Sequence, residues 1–189
     1  IPAIFRSQEA PDREILDDEI LSIPEGFPRQ FAMLRRFKPG NTSTEPGYHF
    51  GLGVSAYAQA TSPIRRYADL VTQRQVKAFL ADEPFPHDQD EMVQILAAVE
   101  TAGREAGRTQ YETERYWIVE YLRRQKDREL EATMVEHRNH DGTKAAVWVH
   151  EVAQKLGARF RTKVPLGEKT TVKVDRANPR RDQVSLSEA

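Results

Sequence analysis

Between Asp88 and about Lys126 the sequence keeps one helical pattern with almost no break. Met92, Ile95, Leu96, Val99, Ala102 and Ala106 recur at spacings of three and four, and Tyr116, Trp117, Tyr121 and Leu122 extend the series. Asp88 with Glu91 supplies a capping pair at its start. At about 1.5 Å per residue, one helix of this length crosses a whole domain. Gly103 and Gly107 each weaken it by about 1 kcal/mol relative to alanine, or else allow close packing with a neighbouring helix. The aromatics on it are expected to serve as core.

The pattern changes at about Arg123. Leu130–His137 alternates as a strand does, and Asn139-His-Asp-Gly142 carries the Asp-Gly hairpin signal. Lys144–His150 reads as a second strand, a region around Phe160 and Val164 as a third, Lys169–Val174 as a fourth and Gln183–Leu186 as a fifth. Short strands at this spacing predict a small OB-type barrel. The fold class expected is α+β, with a helix-rich part over residues 1–126 and an all-β barrel over 127–189.

Charge follows the same division. Residues 1–122 carry 13 Lys and Arg against 19 Asp and Glu, whereas residues 123–189 carry 15 against 10. A basic C-terminal third is a candidate polyanion-binding region, although a modest basic excess is also common in small β-domains. There is no cysteine, which excludes disulfides and cysteine-ligated metal sites. No apolar run reaches the ~18 residues of a membrane span, and no signal peptide is visible. The first residue is Ile1, inside what reads as an extended segment. The chain is therefore expected to be the C-terminal portion of a longer cytoplasmic protein that works away from membranes as a monomer.

Before the long helix, Ile1–Arg6 reads as a strand, residues 12–22 as a short acidic helix and Gln30–Phe37 as another helix after the Pro24-Glu-Gly-Phe-Pro28 break. Arg35, Arg36 and Lys38 suit the negative end of that helix, or reach a bound polyanion. Tyr48–Ser55 reads as a strand, in which Gly51 and Gly53 mark a bulge or a close backbone approach. His49 is expected to be a structural hydrogen-bonding residue.

Tyr57-Ala-Gln-Ala-Thr-Ser-Pro-Ile-Arg-Arg-Tyr-Ala-Asp-Leu-Val-Thr-Gln-Arg74 is the stretch with the most chemistry. Ser62 is a preferred N-cap and Pro63 suits the first helical position, which predicts a helix from there. Ile64, Tyr67 and Val71 then share an apolar face, so Tyr67 is expected to pack. Arg65 and Arg66 fall at the positive end of the helix dipole, which is unfavourable by about 0.3–1 kcal/mol per charge. Free N–H groups, a positive dipole end and two guanidiniums suit a phosphate. The plainer alternative is a helix start in which Arg65 pairs with Asp69 across one turn.

Thr61-Ser-Pro-Ile-Arg-Arg-Tyr-Ala-Asp-Leu70 resembles the signature of the ribonuclease II (RNB) family of exoribonucleases. Tyr57 and Arg74 stand where that family tends to carry an aromatic and an arginine. Ala60 and Gln73 depart from it, at places where an aromatic and a histidine are common. The closing Leu166-Gly-Glu168, Val172-Lys-Val-Asp175 and Val184-Ser-Leu186 resemble the end of an S-one-type RNA-binding domain.

The resemblance implies the C-terminal part of an RNB catalytic domain followed by an OB-type RNA-binding barrel. It implies processive 3′→5′ hydrolysis of single-stranded RNA to nucleoside 5′-monophosphates by a Mg²⁺-dependent two-metal mechanism. In the family the metal-binding aspartates lie upstream of the signature, so the Mg²⁺ ligands are expected outside this chain, in the remainder of the same protein. Arg65 is assigned to the scissile phosphate, with Ser62, Arg66, Tyr67 and Arg74 as RNA-binding or supporting residues. The family also has a functional glutamate on the corresponding long helix, for which Glu112 and Glu114 both remain. In the barrel, Trp148, His150 and Phe160 are candidates for base stacking beside Arg159, Arg161 and Lys163, and Trp148 and Phe160 are equally candidates for barrel core. A catalytically inactive RNA-binding protein of the same fold is the competing expectation.

Overall fold

The computed structural model describes residues 1–126 and 128–189. Two compact units, both discontinuous in sequence, make up the chain. The first comprises Ile1–Asp12 and Phe37–Arg108, and the second Arg13–Arg36 and Thr109–Ala189.

In the first unit, β1 (Phe5–Ser7) pairs antiparallel with a strand at Asn41–Ser43. The other elements are two helices, Tyr67–Leu80 and the first part of Gln89–Arg124. Ile4, Val71 and Met92 form the apolar core of this unit. Buried Gln75 donates to the carbonyls of Pro2 (3.2 Å) and His87 (2.7 Å) and accepts the His87 N–H (3.2 Å), which ties the connector to the helix. The strand expected over Tyr48–Ser55 is instead a 3-10 turn at Phe50–Leu52 between bridges at His49 and Val54. Gly53 turns the chain with a φ of 66°. Gly51 makes a close approach: a Cβ there would lie 2.7 Å from Gln8 Oε1.

In the second unit, α1 is only Asp18–Leu21, capped by the Asp17 carboxylate on the Ile20 N–H at 3.0 Å. It replaces the longer helix expected over residues 12–22. Gly26, at a φ of 98°, starts α2 (Phe27–Leu34), earlier than the expected Gln30 because Pro28 suits a helix start. With the strand at Asn41–Ser43 as β2, the helix at Tyr67–Leu80 as α3 and the helix at Gln89–Arg124 as α4, the remaining strands are β3 (Leu130–His137), β4 (Lys144–Val149), β5 (Gln154–Arg159), β6 (Lys169–Asn178) and β7 (Gln183–Glu188).

These five strands close into a barrel in the order β3-β4-β5-β7-β6. All neighbours are antiparallel except β5 and β7, whose parallel pairing (Ala158↔Leu186) completes the ring. The expected third strand at Phe160–Val164 lies earlier, at Gln154–Arg159, with Phe160 just beyond its end. Gly142, at a φ of 74°, carries the β3–β4 turn, and Asp141 Oδ1 accepts the Thr143 N–H at 2.9 Å.

Leu130, Met134, Val147, Val149, Leu156, Val172 and Leu186 fill the barrel. Leu122 of α4 is fully buried in the same core, with Ile118 and Tyr121 packed against it. The composition change at Arg123 therefore falls inside this unit, which takes in the last turns of α4. The Asp88–Glu91 cap forms as expected, each side chain accepting the other's N–H, at 2.9 and 3.1 Å. Gly103 and Gly107 have nothing within 4 Å of a built Cβ, so close helix packing is not their role.

Two outcomes follow for stability. Leu130→Ala opens a void in the barrel core and is expected to cost about 2–5 kcal/mol in urea denaturation. Arg123 and Arg124 bond to Glu120, at 2.7 and 2.8 Å, and hold its carboxyl down at about 2 from an ordinary 4.5. A depressed carboxylate contributes stability that is whole above about 4.5 and lost as pH falls toward about 2. Glu120→Gln is therefore expected to lower the melting temperature at pH 7 and to flatten its acid dependence in that window.

Candidate RNA-phosphate site and barrel face

The signature stretch does not start a helix at Ser62. Residues 63–65 form a turn, and α3 begins at Tyr67 with Arg66 in extended geometry as its N-cap. The Ser62 carbonyl accepts the N–H groups of Arg65 (3.2 Å) and Arg66 (3.0 Å). The Ser62 N–H donates to Asp69 Oδ2 at 2.8 Å, and the Ser62 hydroxyl accepts from Arg65 Nη2 and not from a backbone N–H of α3, so Ser62 is not its cap. Proline's preference for a first helical position is satisfied equally by the first corner of a turn. Ile64 is fully exposed and Tyr67 half-exposed, so the expected apolar face reduces to Val71.

The two arginines are not equivalent. Arg66 Nη2 donates to Asp69 Oδ2 (2.7 Å) and Thr61 Oγ1 (3.1 Å). Asp69 is 2% exposed, and a carboxylate so buried needs a cation beside it. Removing one member of such a pair costs about 3–5 kcal/mol. The charge of Arg66 is thus met inside the fold, which fits the supporting role among the two weighed for it, and the Arg65–Asp69 pair of the plainer alternative is made by Arg66 and Asp69. Arg65 is exposed, and among the described residues its guanidinium meets Ser62 Oγ alone, from Nη2 at 3.4 Å.

Arg65 lines a cleft of about 720 Å³ within the first unit, together with Arg66, Tyr67, Arg6, Gln59, Glu100 and Arg104. Arg6 donates to Gln59 Oε1 at 3.0 Å, and Arg104 lies 3.9 Å from Glu100 on α4. The cleft can hold an anion. Arg6 and Arg104 carry no local sequence signal, one being a lone arginine in a three-residue strand and the other part of a charged helix surface. Arg74 is exposed on α3 and does not line the cleft.

The cleft's buried carboxylate, Asp69, already binds Arg66 and the Ser62 N–H, so it does not suit Mg²⁺. Among the described residues no group of three or more His, Asp or Glu could hold a metal ion. Glu112 and Glu114 lie exposed on the α4 portion that belongs to the second unit, where Glu114 accepts from Gln110 Nε2 at 2.8 Å.

In the second unit, Val147 and Val149 point into the barrel and Trp148 points out. Trp148 is not open to a base. Phe27 of α2 stacks on it at 5.5 Å and 20°, and Phe31 tilts against it at 5.4 Å. Lys155 Nζ lies 5.6 Å from the Phe31 ring centre. Arg35 and Lys155 both bond to Glu136 on β3, at 2.5 and 3.3 Å, and tie α2 to the barrel. Burial pushes the Glu136 carboxyl up, but these two cations outweigh it and the net shift is downward.

Phe160 is 5% exposed in the barrel core, so its ring has no face for a base either. What remains exposed here is His150, bonded to Thr133 Oγ1 at 2.8 Å and edge-on to Phe27, and Phe27 itself at 38% exposure. Arg159, Arg161 and Lys163 are exposed, and the Arg161 N–H bonds to Glu188. Phe27 was hidden in the sequence by its Gly-Phe-Pro setting, which reads as a breaker.

Residues 1–82 match the RNB domain model. The chain belongs to the RNB family. Over its whole length this RNB chain is 35% identical to an uncharacterized ribonuclease of Synechocystis sp., of which it spans 28%. It is 31% identical to the chloroplastic/mitochondrial Ribonuclease II of Arabidopsis thaliana, of which it spans 23%. The RNB chain thus covers about a quarter of the length of these curated relatives. The solved structure of Mycoplasma genitalium RNase R in complex with ribose-methylated single-stranded RNA superposes on all of it, over 38% of its own chain, with a TM-score of 0.72 at 14% identity. That likeness establishes the shared fold.

Removing the α2 cover has an optical readout. Trp117 and Trp148 are the two tryptophans, and Trp117 is 61% exposed. In a Trp117→Phe background, Phe27→Ala is expected to shift Trp148 emission to longer wavelength as its ring meets water. An unchanged spectrum would show that Phe27 does not cover Trp148 in solution.

Proposed function

We propose that the protein containing this chain is a 3′→5′ exoribonuclease that degrades single-stranded RNA processively to nucleoside 5′-monophosphates, with Arg65 gripping the scissile phosphate. The observation that carries this reading is the division of labour in the signature turn. Arg66 is neutralised by buried Asp69, while Arg65 stands exposed in a cleft lined by two further arginines.

A phosphodiester accumulates negative charge on its non-bridging oxygens as the attacking oxygen bonds to phosphorus. A guanidinium already held at that place stabilises this charge without reorganising. Its planar fork meets two oxygens at once, which a lysine ammonium does not. Ser62 supports Arg65 through its hydroxyl, and Arg6 and Arg104 draw the RNA backbone into the cleft. Any Mg²⁺ would be held by carboxylates outside residues 1–189, where it would activate the attacking water and stabilise the leaving oxygen.

The names of the relatives support the nuclease reading, and the RNase R structures in complex with single-stranded and with double-stranded RNA support RNA as the substrate. We propose that the OB-type barrel at residues 127–189 adds sequence-independent affinity through Arg159, Arg161 and Lys163, with exposed His150 as its stacking side chain.

The test is release of mononucleotides from single-stranded RNA by the full-length protein with Mg²⁺, and its loss with EDTA. Binding without release would favour the inactive RNA-binding reading. Arg65→Lys is expected to cut turnover at least about tenfold, roughly 1.4 kcal/mol, with a smaller loss of RNA affinity; equal activity would remove Arg65 from catalysis. RNA affinity should fall as salt rises, and Arg161→Ala should reduce the slope of log K against log salt by up to about 0.7.

A further inference from the structure

We propose that Asp69 is the positioning residue for Arg65: from the first turn of α3 it closes the Ser62–Arg66 turn and fixes the direction in which the guanidinium meets the phosphate. This rests on the role given to Arg65 above.

The N-cap of α3, Arg66, makes no side-chain cap. Asp69 is the third helical residue, the place from which an acidic side chain ordinarily reaches back to the N-cap N–H. Here it reaches further. One oxygen, Oδ2, accepts both the Ser62 N–H (2.8 Å) and Arg66 Nη2 (2.7 Å). The Ser62 carbonyl in turn accepts the Arg65 and Arg66 N–H groups, and the Arg66 carbonyl accepts the Asp69 N–H at 3.1 Å. Ser62 through Asp69 is thereby a closed circuit of hydrogen bonds with Ile64 and Arg65 on its outer edge. One helical turn on, Gln73 Nε2 donates to the Ala60 carbonyl at 2.7 Å and holds the entry to the turn.

Apolar burial does not hold this turn in place, because Ile64 beside Arg65 is fully exposed. The polar clamp does, and Asp69, 2% exposed, is its centre. The same carboxylate keeps Arg66 occupied. Without it, Arg66 is released as a second cation next to Arg65, and a phosphate can bind there in a geometry that does not react. Loss of Asp69 should therefore lower turnover without weakening RNA binding, a split that general loosening of the fold would not produce.

The experiment is a double-mutant cycle in the full-length protein, with Asp69→Asn, Arg65→Lys and the double variant assayed on single-stranded RNA. Asp69→Asn keeps the shape and an acceptor for the Ser62 N–H but drops the charge that holds Arg66. It should lower kcat by about tenfold or more with KM unchanged or reduced. In the Arg65→Lys background the same change should cost less than about twofold, because the group it positions is already displaced. Asp69→Ala is carried alongside with a melting curve, and if it does not fold, the asparagine cycle decides.

An equal loss in both backgrounds, a rise in KM at constant kcat, or an unchanged kcat in Asp69→Asn would each overturn the positioning role. Those results, with an active parent and a slow Arg65→Lys, leave the reading of Arg65 standing. An Arg65→Lys protein as active as its parent, or a parent that releases no nucleotide, overturns that reading and this inference together.

Discussion

Desolvation of carboxylates organises much of this structure. Asp69, Glu120 and Glu136 are acids drawn partly or wholly out of water, and each is held by cations placed around it. For buried Asp69, loss of its cation would leave an uncompensated charge out of water, and the more exposed Glu120 and Glu136 are likewise each met by two cations. These pairings fix the signature turn to α3, the last turn of α4 to itself, and α2 to the barrel. A chain with 28 basic and 29 acidic residues shows little net charge, yet its functional asymmetry comes from which cations are consumed in this way and which are left outward. Arg66 is consumed. Arg65 is left.

Those parts of the fold whose cause is local were legible in the sequence. The long helix, its Asp88–Glu91 cap, the Asp-Gly hairpin and the β3, β4, β6 and β7 segments all follow from periodicity and turn chemistry within a few residues. The family resemblance in Thr61–Leu70 likewise lay in one contiguous string. What escaped had non-local causes. Ser62 looks like an N-cap, but α3 begins only at Tyr67, and Asp69 of that helix folds back to accept the Ser62 N–H. Phe160 and Trp148 look alike as stacking candidates until barrel closure puts one inside and α2 covers the other. Arg6 and Arg104 reach the cleft only through the pairing of β1 and the packing of α4.

The engaged Trp148 also bears on the RNA-binding role proposed for the barrel. OB folds commonly meet bases with aromatics on an open strand face. Here the aromatic on β4 is stacked by a helix of the same unit, and the exposed ring of that stack belongs to the helix. RNA binding by such a barrel, as proposed above, would lean on phosphate contacts, which carry no base information. A barrel of this kind suits a protein that handles RNA irrespective of sequence.

The two units are interleaved along the chain, and this bears on the order in which they can form. Residues 13–36 belong with the barrel but are synthesised before most of the first unit. The parallel β5–β7 pair that closes the barrel depends on Leu186 and Ser187, near the end of the chain. On a ribosome, α2 and its phenylalanines would therefore emerge more than 100 residues ahead of the tryptophan they cover. Contacts of such long sequence separation form late and leave apolar surface exposed meanwhile. Phe27 and Phe31 are then without their tryptophan partner until β4 has been made, and only afterwards become the cover of the finished barrel.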